Sequence, residues 1–519
     1  MPPLPAREIT SFPEAVSPLA LSPFGLIESI LFTTTPTSTS RAEPERLSSF
    51  LNAYTVRQAL NSWLGDTPKV DTTEEQQRLV RTLNAAVARI DDLLNAQLNA
   101  VLHHADFQKL EAAWRGLNYL VEQVPDGSQV KVRVLNVSWR DLVKDQERAL
   151  EFDQSQLFRK IYNDEFGMPG GEPFGLLLGN YDICHRPFPD HPTDDLAALR
   201  GIMQTAAASF APFLAGVDPR FFELDSYSEL EPTIDLARAF EQSDYTKWRS
   251  LRNEEDARFL GLIVPRVVLR EPYSDATEQQ LSFPFQEDTT ASTNSGYLWG
   301  NGCFAFGAVA VRTFAESSWL AEVRGVRAGE SRGGIVQGLP AIETGTGYSV
   351  SRKAITDLQL TDRQEKEISE LGFVPLCHLP ETSEAAFYTL PSVQKAKIYD
   401  DDAATANARL SCMLQYMLCV SRIAHYLKVI VRDRVGSFIT PQDCEESLRQ
   451  WVQQYIVSND SASAEMKARY PLREARVEVK ESSGQPGVYR CTMFLRPHFQ
   501  LDQLSAGIKL ATQLSNRTE

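Results

Sequence analysis

The sequence is poor in the residues that build metal or redox centres. Its 519 residues include only seven cysteines and seven histidines. The cysteines are odd in number and form no CxxC pair, so we expect reduced, mostly buried thiols. Cys184, His185 and His191 lie close together, but no fourth ligand follows at a spacing typical of zinc sites. We therefore expect no metal ion and no cofactor.

Positive charge and long apolar runs are also scarce. Lys and Arg number 52 against 68 Asp and Glu, for a formal net charge of −16. This balance argues against a general nucleic-acid-binding protein. No apolar run approaches the length of a membrane-spanning helix, and the N-terminus lacks a signal-peptide pattern. We expect a cytoplasmic protein that neither enters a membrane nor binds nucleic acid.

The length of the chain predicts more than one domain. Residues 1–65 are rich in Pro, Ser and Thr and are typical of a flexible arm. Residues 66–371 alternate helical and strand patterns after a helical N-terminal region, which predicts a main α/β domain. Residues 372–519 predict a second, mixed α/β domain that ends in a β-hairpin.

The arm contains one apolar segment with helical spacing, at residues 24–31. Such a helix has no core of its own in a flexible arm, so it can dock in the groove of a partner. Folding back onto its own chain is an equally open alternative. The apolar face consists of Leu26, Ile27, Ile30 and Leu31.

The most informative stretch runs from Asp106 to Val121. Apolar residues that include Phe107 and Trp114 recur at three- and four-residue spacings and predict an amphipathic helix. Gly116 follows Arg115 inside that helix. Because glycine weakens a helix, its presence predicts a close approach by another backbone. The stretch carries no catalytic group and indicates packing.

Other patterns predict the remaining elements. Thr73 and Gln76 match a capping box that begins a long helix. Alternation of Val with Lys and Arg over Val130–Val137 predicts a strand. Further predictions are a helix over Leu196–Leu214, a strand over Phe259–Leu269 interrupted at Pro265, a tight turn at Gly300 and Gly302, and a helix over 405–435.

Two alternating segments around Gly484–Gly487 predict an antiparallel hairpin near the C-terminus. A terminal hairpin leaves an open edge, which is either protected or accepts a strand from another chain. The candidate residues for an intersubunit sheet are Val477, Val479, Tyr489, Cys491 and Met493.

Two patterns superficially suggest an enzyme. Gly329–Gly333 reads GESRG and matches a nucleophile elbow, which would make Ser331 the nucleophile of a cytoplasmic serine hydrolase. Its flanks lack the required strand and helix, and His425 and His498 fit equally badly as the base. Asp400–Asp402 is typical of a solvated loop or a helix start.

Seven segments, in order, resemble the large subunit of the type VI secretion contractile sheath. They are FQKLEAAWRGLNYLV (107–121), KIYNDEFGMPGGEPFGLLLGNY (160–181), FLGLIVPRVVLREPY (259–273), LWGNGCFAFGA (298–308), GFVPLCH (372–378), SRIAHYLKVIVRD (421–433) and FLRPHFQL (494–501). They run in family order across nearly the whole chain after the arm. The arm before residue 65 and the loop 325–338 look divergent.

The resemblance implies a tail-sheath-like fold and a structural role, not an enzyme. It implies pairing with a small sheath subunit, a helical sheath of many copies around an inner tube, a baseplate, and recycling by a AAA+ unfoldase that docks at residues 26–31. A phage-type tail sheath protein is the related alternative. The implied packing signature comprises Phe107, Trp114, Arg115, Gly116, Trp299, Gly300, Asn301 and Gly302.

Overall fold

A computed structural model describes residues 49–50, 52–64, 72–230, 234–274, 284–289, 296–326, 332–344, 351–380, 382–433, 441–459, 462–481 and 489–498. The chain forms two compact units. The first comprises residues 1–102 with 280–285, and the second comprises residues 103–279 with 286–519. The predicted division at residues 65 and 371 is a different one and stays a prediction.

In the described part of the first unit, the elements are α1 (Val56–Leu64) and α2 (Thr73–Leu102). The capping box that begins α2 lies one residue before the predicted one. The amide of Glu75 donates to Thr72 Oγ1 at 3.4 Å, and the amide of Thr72 donates to Glu75 Oε2 at 3.0 Å. The pair therefore satisfies amides at the helix start. No residue of α2 is buried.

The second unit mixes helices and short strands, as the sequence predicts. Its helices are α3 (Ala105–Glu122), α4 (Trp139–Arg148), α5 (Gln156–Phe158), α6 (Asp195–Ser209), α7 (Leu236–Ala239), α8 (Thr246–Arg252), α9 (Gly302–Ser317), α10 (Asp362–Glu370), α11 (Asp402–Ser411), α12 (Leu414–Asp433), α13 (Pro441–Gln453) and α14 (Ala464–Arg469). Its strands are β1 (Leu177–Ile183), β2 (Phe213–Val217), β3 (Leu260–Val264), β4 (Val267–Arg270), β5 (Leu298–Gly300), β6 (Ile335–Val336), β7 (Ile342–Thr344), β8 (Ser351–Lys353), β9 (Val374–Pro375), β10 (Cys377–His378), β11 (Ala385–Ala386), β12 (Leu472–Glu481) and β13 (Tyr489–Pro497).

A parallel sheet of order β1-β2-β3-β9 organises the second unit. Every residue of β2 and β3 is buried. Phe213 belongs to the same apolar cluster as Leu199 of α6 on one face, whereas Leu214 belongs to the cluster of Phe304 of α9 on the other. Helices on both faces explain why these strands read as continuous apolar runs rather than alternating ones.

Three predicted elements end or divide earlier than expected. The helix predicted to Leu214 ends at Ser209, since Phe210 is left-handed with φ 52° and β2 follows. The strand predicted over 259–269 is divided at Pro265 into β3 and β4, as expected from a residue without an amide hydrogen. The helix predicted over 405–435 is two helices, α11 and α12.

The strand predicted over Val130–Val137 does not form a ladder. No backbone group of residues 130–136 makes a hydrogen bond to another residue that the structure describes. The segment is still without helix or turn and runs along the surface. A β-strand exists only beside a hydrogen-bonded neighbour, and this chain supplies none in its described part.

The C-terminal hairpin is confirmed. Strands β12 and β13 pair antiparallel with Val479 opposite Cys491. The hairpin packs on α12 and α13 through a small apolar cluster that includes Ile423 and Leu448. Among the described residues, no helix is both long enough and apolar enough to cross a membrane.

Candidate interaction surfaces

Helices α3 and α9 cross at Gly116. A Cβ atom at this position would overlap the ring of Phe304. The close neighbour is therefore a side chain rather than the predicted backbone. Gly116, Tyr119 and Leu120 form the buried side of α3. This crossing explains why glycine is required in the middle of a helix.

Asn301 joins the start of α9 to β1. Its Oδ1 accepts from the amide of Cys303 at 2.9 Å and so caps the helix. Its Nδ2 donates to the carbonyl oxygen of Tyr181 at 2.9 Å and to Asp182 Oδ1 at 3.2 Å. A Cβ on the neighbouring Gly302 would stand 3.0 Å from the carbonyl oxygen of Pro265. The predicted turn is thus a strand-to-helix junction with no room for larger residues.

Arg115 belongs to a network of charges. Its Nε donates to Glu111 Oε1 at 2.7 Å, and Glu111 also pairs with Arg270 at 2.9 Å. Arg270 in turn donates to both oxygens of Glu287. Burial opposes ionisation of Glu287, but the hydrogen bonds from Arg270 hold the pKa of that carboxyl below its usual value. The network orients α3 against β4.

The opposite side of α3 is not covered by described residues. Trp114 is 66% exposed, and Phe107 and Leu110 are also exposed. Trp114 and Leu110 line a groove of about 1280 Å³. The apolar stripe predicted on this helix is therefore divided between a buried side and an exposed side. A large exposed aromatic residue beside a groove is typical of a protein–protein interface.

In the hairpin, several candidate side chains face the chain's own core, whereas the backbone of β12 has an outward-facing amide. The side chains of Val477 and Val479 are buried in the chain's own cluster, and those of Cys491 and Met493 are half-buried in it. The amide of Val479 points away from β13 and donates to Glu445 Oε2 at 3.0 Å. Glu445 therefore covers the outer edge of β12 at that point. Trp299, from the packing signature, lies half-buried in β5.

Cys184 and His191 do come together in space, with Asp195 and not with His185. Their potential ligand atoms all lie within 4.8 Å of one another. Asp195 accepts hydrogen bonds from Trp139 Nε1 at 2.7 Å, from the amide of Cys184 at 2.9 Å and from Thr193 at 2.6 Å. Burial raises the pKa of the Cys184 thiol, which opposes the thiolate that a metal requires. The hydrogen bonds make Asp195 a structural hub beneath α4.

Described residues of the two enzyme-like patterns make structural contacts. His425 Nε2 lies 2.9 Å from the carbonyl oxygen of Ser209, and burial lowers the pKa of the imidazole to about 4. Asp401 Oδ2 accepts from the amide of Ala404 at 3.2 Å beside the start of α11. Ser331 lies outside the described residues, as do the unfoldase-docking candidates Leu26, Ile27, Ile30 and Leu31.

Comparison with known proteins decides the family. Residues 84–394 match the family "EvpB/VC_A0108, tail sheath N-terminal domain", and residues 403–514 match "EvpB/VC_A0108, tail sheath gpW/gp25-like domain". The chain belongs to the EvpB/VC_A0108 tail sheath family. The type VI secretion system sheath protein TssC1 of Pseudomonas aeruginosa is 39% identical over 445 residues, which cover 85% of this chain and 87% of that protein.

Two solved structures are also similar. The anti-feeding prophage baseplate matches with a TM-score of 0.34 and 10% identity over 73% of this chain and 82% of that one. The contracted anti-feeding prophage sheath matches with a TM-score of 0.31 and 11% identity over 61% and 66%.

Family membership confirms the resemblance drawn from the sequence. The chain is a structural sheath protein and not an enzyme, so the hydrolase alternative built on Ser331 is wrong. Its functional residues are those that form contacts between chains. The exposed groove and the hairpin edge are therefore the candidate sites of function.

Proposed function

We propose that this chain is the large subunit of a cytoplasmic type VI secretion sheath that pairs with a small sheath subunit. The heterodimers stack as a helical tube around an inner tube that starts at a baseplate. Family membership supports this proposal most strongly. The exposed apolar side of α3 is what a subunit that functions through its interfaces requires.

The work of the sheath is mechanical. The extended tube is a higher-energy packing, and contraction lets the same subunits reach a better-packed arrangement. No nucleotide is needed for that step. Contraction propels the inner tube and its spike into a target cell. Heterologous contacts, repeated without closure, build such an open helical assembly.

The hairpin accepts a strand from a neighbouring subunit at the outer edge of β13. Since the amide of Val479 points outward, its antiparallel partner Cys491 also points its backbone groups outward. Met493, two residues further, shares this orientation. The outer edge of β12 is covered by Glu445 and, near Leu472, by hydrogen bonds with residues 455–457.

The donated strand comes from the arm of a neighbouring copy. The sequence places the donated segment in the arm before about Trp63, and because residues 56–64 are helical in α1, we propose the part before Val56. Each ring is then linked to the next while the subunits slide, because the strand contact survives the change in packing.

The arm also carries the docking site for a AAA+ unfoldase, at the apolar face of residues 26–31. Double substitution of Leu26→Asp and Ile30→Asp should abolish unfoldase binding and leave assembly intact, because charge prevents the apolar face from entering a groove. A pull-down with the unfoldase measures this. Unchanged capture of the double variant contradicts the assignment.

Electron microscopy of the chain co-expressed with the small subunit tests the main proposal. We expect long hollow tubes with a cogwheel-like cross-section. Soluble monomers under all conditions would contradict a sheath role.

A further inference from the structure

The extended segment 130–137 has the composition of a β-strand, but it does not pair with any strand that the structure describes. Val130, Val132 and Val134 alternate with Lys131 and Arg133, and residues 131–136 are all exposed. Val134 is 68% exposed. Backbone groups 130–136 bond to no described residue. A row of exposed, unpaired donors and acceptors in an apolar strand is a template for another strand.

This segment forms one wall of the groove beside α3. Helix α9 and residues 171–178 contribute further walls, so the groove combines an unpaired strand with apolar helix surfaces. At about 1280 Å³, it is large enough for several side chains of a partner. The apolar positions that face it include Leu110, Trp114, Leu117, Val311 and Phe314.

The charges in the groove indicate what the occupant carries. Lys131 and Arg133 already pair with Glu172, and Arg133 pairs also with Glu165. Arg422 instead lies over the rings of Phe314 and Tyr426, at 5.4 and 4.8 Å.

Arg422 forms no ion pair with a described carboxylate, and its Nε is buried without a hydrogen-bond partner in the described structure. A buried guanidinium nitrogen left unpaired is unfavourable. Because Arg422 lines the groove, a carboxylate from the occupant would compensate the charge of this guanidinium.

We propose that the groove binds a partner chain that adds a β-strand to residues 130–137, places apolar side chains against Trp114 and directs a carboxylate to Arg422. This inference rests on the proposed function, in which the partner is the small sheath subunit. A second copy fits less well, because its free edge strand β13 carries Arg490 and Arg496 rather than carboxylates.

Adjacent proline substitutions test the strand. In an extended segment, consecutive residues direct their amides to opposite sides, so a partner on one side bonds to only one of two neighbours. Val134→Pro and Leu135→Pro should therefore differ, with one weakening capture of the tagged small subunit at least tenfold and the other much less. Val134→Ala and Leu135→Ala are the side-chain controls. Neither proline removes a hydrogen bond within the described chain, so thermal unfolding of the full chain should change little.

Side-chain variants test the groove. Trp114→Ala and Arg422→Gln should each weaken capture at least tenfold, whereas Leu150→Ala should not, since Leu150 is exposed and does not line the groove. Amide hydrogen exchange should show residues 130–137 fast in the chain alone and protected in the complex.

Each alternative outcome overturns the proposal. Groove variants that bind the small subunit and form normal tubes show that the groove is not the site, while the proposed sheath function stands. Wild-type chain that neither binds the small subunit nor forms tubes refutes both. Protection of residues 130–137 in the chain alone that disappears on deletion of residues 1–48 identifies the chain's own arm as occupant. Groove variants that lose self-association but still bind the small subunit identify a second copy as the occupant.

Discussion

The parallel sheet and the C-terminal hairpin are both made of short strands, but they differ in the source of their neighbours. In the sheet, β2 and β3 have strands on both sides and helices on both faces, all from the same chain. In the hairpin, β13 has β12 on one side and no further described strand on the other. The first arrangement supports the fold of the subunit, and the second leaves an edge for assembly.

Segment 130–137 extends this contrast to its limit, because it has no strand neighbour in the described structure. Segments with strand propensity thus occur in this chain with two neighbouring strands, with one, and with none that the structure describes. Another chain can add a strand wherever a neighbouring strand is missing.

The largest effect is expected in the parallel sheet. Leu262 is fully buried in β3. Leu262→Ala should destabilise the fold by about 2–5 kcal/mol, because it removes buried methyl groups and leaves a cavity. Urea unfolding of the full chain measures this. A loss below about 1 kcal/mol would mean that the sheet is not the main source of stability.

Acid should weaken the connection between the two regions. His425 on α12, which supports the hairpin, hydrogen-bonds Ser209 at the end of α6 beside the sheet. Its pKa is about 4 in the fold against an ordinary 6.5, so the unfolded state binds more protons between these values. Up to about 3 kcal/mol of stability should be lost as pH falls from 7 to 4.

Unfolding free energies measured across this pH range test the effect. His425→Gln should flatten the profile, because glutamine cannot be protonated here. His104→Gln is the control, since His104 is exposed on the surface. Identical pH profiles for wild type and His425→Gln would show that His425 is not the responsible group.

The smallest effect on stability is expected at the outer edge of β13. Met493→Pro removes an outward-facing amide but no ladder bond, so it should cost little more fold stability than Met493→Ala, which loses the same half-buried side chain, and it should abolish sheath tubes. Thr492→Pro should instead lower fold stability, because Thr492 pairs with Glu478 inside the hairpin and its ladder bond would be lost. Met493→Ala controls for the lost side chain and should still form tubes. Normal tubes from Met493→Pro, seen by electron microscopy, would refute the accepting edge.

Much of the local structure could be predicted from periodicity. The helix over 106–121, the break at Pro265 and the C-terminal hairpin all follow from apolar spacing and from residues that limit backbone hydrogen bonding. The end of the helix at Ser209 could not be predicted in this way, because the residue that adopts the left-handed conformation there is Phe210 and not a glycine. The sequence predicts the capping box one residue too late, because Thr72 and Thr73 are adjacent candidates.

The candidate surfaces were only partly accessible to sequence reasoning. Trp114 and Tyr119 belong to one apolar stripe in the sequence, yet Tyr119 is buried and Trp114 lies in the groove. Periodicity places residues on a face of a helix, but it does not say which part of a broad face the same chain covers. Arg422 lies in the segment SRIAHYLKVIVRD, but nothing in that segment indicates an interaction site, since the unpaired Nε is evident only once α12 is folded against Phe314.

Residue types and their spacing are enough to predict the family, the mixed α/β class and the segments that can form strands. Which of these strands find neighbours within the chain is evident only from the fold. Backbone donors and acceptors are the same in every strand, so pairing depends on what lies beside them in space. That is why residues 130–137 and β13 have ordinary strand patterns in the sequence, although in the described structure the first has no neighbouring strand and the second has only one.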